Sequence, residues 1–216
     1  MIAPTVKNFL RKAQADPDLA QRVGNTDTYP ALAELSESAG EPATEGALRA
    51  AFAARDARML VRQMIARGLM DPCPLPPTPL MDGDVWKRVA AMDLSPVAGQ
   101  LVNYLGWTPE RAAAIERRYR GFFYLKITLP GGMASPTPEV DEFWHQHIIN
   151  TRRYAPDCMN VAGQFLHHTF LTPDDPAEAA ELSSVWLATW TSYEALFAEP
   201  YEGTLGAVLL ERWPNP

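Results

Sequence analysis

Four histidines dominate the chemistry that this sequence offers. His145, His147, His167 and His168 are the only histidines among 216 residues, and all four lie in one short window. Neutral imidazole is the commonest protein ligand for zinc, iron, copper and nickel, and it also serves as an acid or base near neutral pH. The cluster therefore predicts a transition-metal site holding Fe, Zn or Cu, or a site of acid/base chemistry.

Helix geometry restricts which histidines can share an ion. His145 and His147 diverge by about 200° on a helix, and the adjacent pair His167 and His168 cannot readily reach one ion from a helix either. We expect a mononuclear set of His147 with one member of that pair, completed by His145 or an acidic residue. Two histidines and a carboxylate would suit non-haem Fe(II) chemistry, whereas three histidines would suit Zn, Cu or Fe.

Other reactive groups lie close to the histidines in sequence. Asp141 precedes His145 by one helical turn and could orient its imidazole, so Asp141 and Tyr154 are candidate catalytic residues. The spacing of Glu142 and His145 is that of a di-iron motif, but no second copy exists. Cys158 could form a nucleophile pair with a histidine, although a core cysteine is the favoured interpretation.

Each histidine also has a purely structural interpretation. A buried imidazole often only forms a hydrogen bond with a backbone carbonyl or a tyrosine hydroxyl. The alternative to a metalloenzyme is therefore a non-catalytic interaction or scaffold protein with structural histidines.

Helices must position these groups. Thr137 and Pro138 signal a helix start, and one inward face then follows at helical spacing: Val140, Phe143, Trp144, His147, Thr151 and Tyr154. Pro156 predicts a break, followed by a second short helix that carries Val161 and Phe165 and delivers His167 and His168 at its end.

Helical patterns fill the rest of the chain, and no segment alternates with period two. We predict an all-α fold with a small N-terminal helical domain at 1–70, a proline-rich linker at 71–81 and a larger helical His-cluster domain at 82–216. Thr44 is predicted to open one long helix that ends at Gly68. A later aromatic stripe is interpreted as core: Leu182, Trp186, Trp190, Tyr193 and Phe197.

Composition excludes several classes of protein. The chain is 47% hydrophobic and 21% charged with a net charge of −7, which is typical of globular proteins and argues against nucleic-acid binding. Cys73 and Cys158 form no disulfide framework, and no secretory signal or membrane-length apolar run is evident. We expect a cytoplasmic protein without membrane partners; the sequence does not indicate its oligomeric state.

The first 55 residues resemble a nif-type leader-peptide domain. The resemblance covers roughly residues 3–55 and rests on Phe9-Leu10, on Asp16-Pro17-Asp18-Leu19, and on Ala39-Gly40 before Thr44. Members of that family usually precede a peptide that enzymes modify. The resemblance implies a peptide substrate or a modifying enzyme as partner. The usual Gly-Gly cleavage end is missing, so we expect the domain to be retained.

The histidine window itself is similar to the glycine-rich domain-containing protein-like family, over roughly residues 115–200. Its motif is matched by these residues: Pro136, Val140, Asp141, Trp144, His145, His147, Ile148, Ile149, Thr151, Tyr154, Cys158, Gly163, Phe165, His167 and His168. The resemblance implies that all four histidines are motif residues but implies no reaction. Pro156, Ala162 and the segment after His168 depart from the family pattern, and no glycine-rich tail exists.

These observations lead to one expected function and its alternatives. We expect a metal-binding helical enzyme that acts in peptide modification, with oxidation as one form of it. The alternatives are the non-catalytic scaffold protein and a precursor in which the histidine domain is the cargo of a leader.

Overall fold

Helices are the only regular secondary structure in the described part of the chain. A computed structural model describes residues 2–70, 73, 77, 80–169 and 176–213, and within these ranges there is no strand. The all-α prediction is therefore confirmed. No helix in this part of the chain is long and apolar enough to cross a lipid bilayer.

The helices are α1 (Pro4–Ala15), α2 (Pro17–Gly24), α3 (Tyr29–Ser38), α4 (Glu45–Ala53), α5 (Ala57–Ala66), α6 (Gly83–Ala90), α7 (Ser95–Leu105), α8 (Pro109–Thr128), α9 (Pro138–Ile149), α10 (Thr151–Ala162), α11 (Pro176–Phe197) and α12 (Leu205–Arg212). A short 3₁₀ turn, Pro130–Gly132, follows α8. The side chains of Thr44 and Thr137 begin helices as predicted, and those of Asp16 and Thr108 also do so: each accepts hydrogen bonds from N–H groups of the first turn.

The chain divides into two compact units, and their limits differ from the predicted domains. Unit 1 consists of Met1–Leu75 and Phe197–Pro216, and unit 2 consists of Pro76–Leu196. The sequence predicts one domain at 82–216, whereas α12 belongs to unit 1, where its apolar side chains join the core. The predicted linker at 71–81 lies mostly outside the described residues.

The core of unit 1 is built from both ends of the chain. Val6, Phe9 and Leu10 of α1 are buried together with residues of α2, α3 and α4, and Leu205 and Leu209 of α12 join the same cluster. The single long helix predicted from Thr44 to Gly68 is wrong. The chain instead breaks between α4 and α5, because the Asp56 side chain accepts a hydrogen bond from the Met59 N–H and starts a new helix.

The core of unit 2 surrounds α8. Its predicted apolar stripe is confirmed, since the side chains of Ile115, Tyr119, Phe122 and Phe123 are all buried. The later aromatic stripe on α11 is buried less completely than predicted. Only Tyr193 of that stripe is fully buried, and its other members are partly exposed.

The break in the histidine window falls at Asn150 and not at Pro156. Asn150 leaves the helical conformation (φ −81°, ψ 64°), and its carbonyl accepts the N–H groups of Arg153 and Tyr154, which starts α10. Pro156 lies inside α10, whose buried positions hold the helix together despite the missing N–H: Tyr154, Cys158 and Val161. Thr151, predicted to face inward, is exposed because α9 ends before it.

The segment after α10 is also not helical. Gly163 adopts a left-handed conformation (φ 70°) that ends the helix, and residues 165–169 then run without regular structure. The predicted short helix carrying Phe165 therefore does not form, and His167 and His168 lie in this irregular segment.

Candidate metal centre

Three side chains converge in unit 2. The Nε2 atom of His168 lies 2.9 Å from Oδ1 of Asp141 and 3.1 Å from Nε2 of His145. Oδ2 of Asp141 lies 3.7 Å from Nε2 of His145. Among the described residues, this is the group of three with the geometry to hold a metal ion.

The spacing of these donor atoms fits one ion. Donors bound at about 2.0–2.2 Å with an angle of about 90–109° between them lie about 2.8–3.6 Å apart. Two of the three pairs fall in that range, and a small rotation of one side chain brings the 3.7 Å pair close to it.

The chemistry of the donors also fits a cation. One N–H of His168 can point at either the Asp141 carboxylate or the His145 nitrogen, but a single hydrogen cannot satisfy both contacts. A cation between them would accept an electron pair from all three. Two neutral imidazoles and one carboxylate form the donor set of non-haem iron sites, and they would leave coordination positions open.

Two different segments supply the donors. Asp141 and His145 are one turn apart on α9, so their side chains share a face of that helix. His168 lies in the irregular segment after α10. Its ring stacks on that of Trp144, with 4.5 Å between ring centroids and 29° between planes. The stack fixes the plane of the imidazole.

Tyr154 links the irregular segment after α10 to α9 through two hydrogen bonds. Its hydroxyl donates a hydrogen bond to the Leu166 carbonyl at 2.5 Å and accepts one from the Trp144 indole N–H at 3.0 Å. Burial raises the pKa of the Tyr154 hydroxyl, so the proton that it donates stays in place. Tyr154 is predicted from sequence as a catalytic candidate. In the structure it is fully buried, in a position to orient His168.

His147 faces the interior, but away from the three donors. Its Nε2 lies 3.1 Å from Oδ2 of Asp157, and its Nδ1 lies 2.8 Å from the Tyr119 hydroxyl. The carboxylate can only accept, so the neutral ring donates from Nε2 and accepts from Tyr119 at Nδ1. Burial lowers the pKa of His147 despite the nearby Asp157, which agrees with a neutral ring.

Both nitrogens of His147 are therefore occupied within the protein. Metal binding at either one would break a buried hydrogen bond. The predicted set built on His147 is not the one that the structure brings together, because the chain turns at Asn150 and directs Asp157 of α10 to this ring.

His167 is exposed and also lies outside the group. Its ring contacts that of Phe165, with 4.9 Å between centroids. His168 reaches Asp141, whereas the adjacent His167 is exposed to solvent. Of the four histidines predicted as ligands, the structure brings together His145 and His168.

Cys158 is a core residue. It is fully buried, and burial raises the pKa of its thiol, so little of it is thiolate near neutral pH. The alternative of a Cys158 nucleophile therefore has no support in this environment.

Sequence reasoning missed the partners that hold the histidines. Tyr119 was assigned only to a core stripe, and Asp157 and Lys126 received no role. An i, i+4 spacing signals the Asp141–His145 pair, but no local spacing reveals contacts between residues of different helices.

Comparison with known proteins gives one match. Residues 99–186 are similar to the family described as UCP032817-like, and they include all three donors. That description names no reaction, ligand or partner. No curated protein and no solved structure matches the chain.

Proposed function

We propose that this protein is a metalloenzyme whose ion is bound by Asp141, His145 and His168. The observation that carries the proposal is the approach of the Asp141 Oδ1 and His145 Nε2 atoms to His168 Nε2, at 2.9 and 3.1 Å. The donor side chains are partly exposed, which lets a substrate approach.

The three donors restrict which ions fit the site. A carboxylate and two imidazoles suit Fe(II), and they also suit Zn(II). A bound ion would supply Lewis acidity or, for iron, redox chemistry at its open positions. Around it, Trp144 and Tyr154 hold His168 in place, and Asp141 contributes the negative charge that favours a divalent cation.

We further propose a peptide as the substrate. The support is the resemblance of residues 3–55 to leader-peptide domains, which occur beside modified peptides. The reaction class is then peptide modification, and with iron it would be oxidative. The same resemblance also allows a second kind of partner, a separate modifying enzyme that recognises unit 1.

Metal analysis tests the proposal directly. Protein purified without a His-tag should contain, or bind with micromolar or better affinity, about one equivalent of Fe(II), Zn(II) or Cu(II). His168→Ala should weaken binding by more than the about 10–100-fold loss that follows removal of an outer partner of a metal ligand. His167→Ala is the matched control, since it removes an adjacent exposed histidine, and it should bind as the wild type does.

His147 separates the proposed site from the set predicted from sequence. His147→Ala should keep its metal but lose about 1–3 kcal/mol of unfolding free energy, because Tyr119 and Asp157 lose a buried partner. Isothermal titration and urea unfolding measure the two effects. Loss of metal in His147→Ala with retention in His168→Ala would contradict the assignment.

The scaffold alternative predicts a different result. If no transition metal binds the wild-type protein, the histidines are structural and the proposed enzyme function fails. Elemental analysis of the purified protein, together with metal titration of the metal-free protein, decides this.

A further inference from the structure

Lys126, near the end of α8, is a partly buried cation that has no anionic partner among the described residues. Its Nζ donates a hydrogen bond to the Gly132 carbonyl at 3.1 Å and lies 5.3 Å from the centroid of the Trp144 ring. Within the described ranges, no carboxylate forms an ion pair with it. An ammonium has three N–H groups, so it can donate to a further acceptor.

A small cavity opens beside Lys126. Its volume is about 80 Å³, and its walls include Lys126, Trp144 and His168 together with the apolar side chains of Met133, Leu182 and Val185. A cavity of about 150 Å³ can hold benzene. This one therefore has room for a small group, one end of which is apolar and the other negatively charged.

His168 connects the cavity to the candidate metal centre. The same side chain forms part of the cavity wall and contacts both Asp141 and His145. A molecule in the cavity would contact the side chain that binds the ion.

We propose that this cavity receives a short carboxylate as the substrate group of the metal centre, with Lys126 as its counter-ion. The link to the metal centre rests on the proposed function; the carboxylate site itself rests on Lys126 and the cavity. Burial lowers the pKa of Lys126, so its charge is costly while it is unpaired. A carboxylate would offset that cost and form a charge-assisted hydrogen bond.

The carboxylate has two chemical sources. It is either a free short acid or the C-terminal carboxylate of a peptide. Propionate represents the first source and N-acetylalanine the second, and propionamide and N-acetylalanine amide are their uncharged counterparts.

Titration of the full-length protein with these four compounds, with and without Zn(II), tests the inference. Propionate or N-acetylalanine should bind roughly tenfold or more tightly than its amide, because a hydrogen bond between charged groups is worth about 1.5–3 kcal/mol. Lys126→Met keeps the length of the side chain and removes its charge. It should abolish that preference while Zn(II) still binds as it does to the wild type.

A second variant covers the case in which Lys126→Met does not fold. Val185→Phe should fill the cavity and weaken carboxylate binding at least tenfold with Lys126 in place. Equal affinity for acid and amide, or unchanged affinity in both variants, would overturn the inference.

The two proposals fail separately. Zn(II) binding without carboxylate binding would leave the metal centre standing and refute this inference. Carboxylate binding that depends on Lys126, in a protein that binds no metal, would support the carboxylate site and refute the metalloenzyme.

Discussion

Trp144 organises the site at the scale of single residues. Its ring stacks on His168, its N–H donates to Tyr154, and the Lys126 ammonium lies near its face. Trp144, which the sequence pattern assigns to the core, therefore also positions a metal ligand and a cation. Helical spacing assigns Trp144 to the inward face, but it does not reveal the second role.

Tyr154→Phe tests this arrangement. The substitution keeps the ring but removes the hydroxyl that holds Leu166 and accepts from Trp144, so His168 should lose orientation. We expect metal affinity to fall about tenfold or more, as for other groups that orient metal ligands. Metal titration measures the change.

Tyr119→Phe provides the control. It also removes a fully buried hydroxyl that contacts a histidine, but at His147 and away from the three donors. It should lower the unfolding free energy by about 0.5–1.5 kcal/mol and leave metal affinity unchanged. Equal losses of affinity in the two variants would show that the effect is general destabilisation.

At the scale of helices, starts were predictable and breaks were not. Thr108 and Thr137 indicate where their helices begin, because capping depends on residues within one turn. The break at Asn150 accompanies the packing of α9 against α8 and of α10 against α6 and α9, and Pro156 gives a misleading local signal. The pairing of Asp141 with His145 could thus be read from spacing, whereas the choice of His168 over His167 required the fold.

Gly206 of α12 lies directly against the backbone at the end of α2. A Cβ at Gly206 would lie 1.8 Å from the Val23 carbonyl oxygen, and the Gly206 N–H donates to the Thr26 carbonyl at 2.8 Å. Gly206→Ala should therefore cost about 1–3 kcal/mol of unfolding free energy or more, through overpacking. Urea unfolding measures it.

Gly46→Ala is the matched control. Gly46 is also the second residue of its helix, and a Cβ there meets nothing within 4 Å. This variant should be neutral or more stable by about 0.5–1 kcal/mol, since alanine is the better helix former. A similar loss in both variants would refute the close approach of α12.

At the scale of the whole molecule, the sequence predicted the all-α class and a boundary in the proline-rich segment. It did not predict that the last helix returns to unit 1. An amphipathic helix with Leu205, Val208 and Leu209 must be covered, but its pattern does not say by which unit. Membership was decided by the fit of α12 to α1 and α2.

Leu209→Ala tests the division into units. Leu209 is 3% exposed and lies in the unit 1 core, so the change should cost about 2–5 kcal/mol of the unfolding free energy of that unit. Metal binding in unit 2 should persist under native conditions. Circular dichroism during urea unfolding, with parallel metal titration, separates the two effects.

The discontinuity of unit 1 also sets the order in which the chain can fold during synthesis. A ribosome releases α1 to α4 early, yet their shared core lacks α12 until nearly all of the described chain has emerged. Unit 2 is complete before that point. The histidine-bearing unit can therefore fold first on the ribosome, the reverse of the usual N-terminal-first sequence, while the nascent N-terminal helices still have an exposed apolar surface for a chaperone to bind.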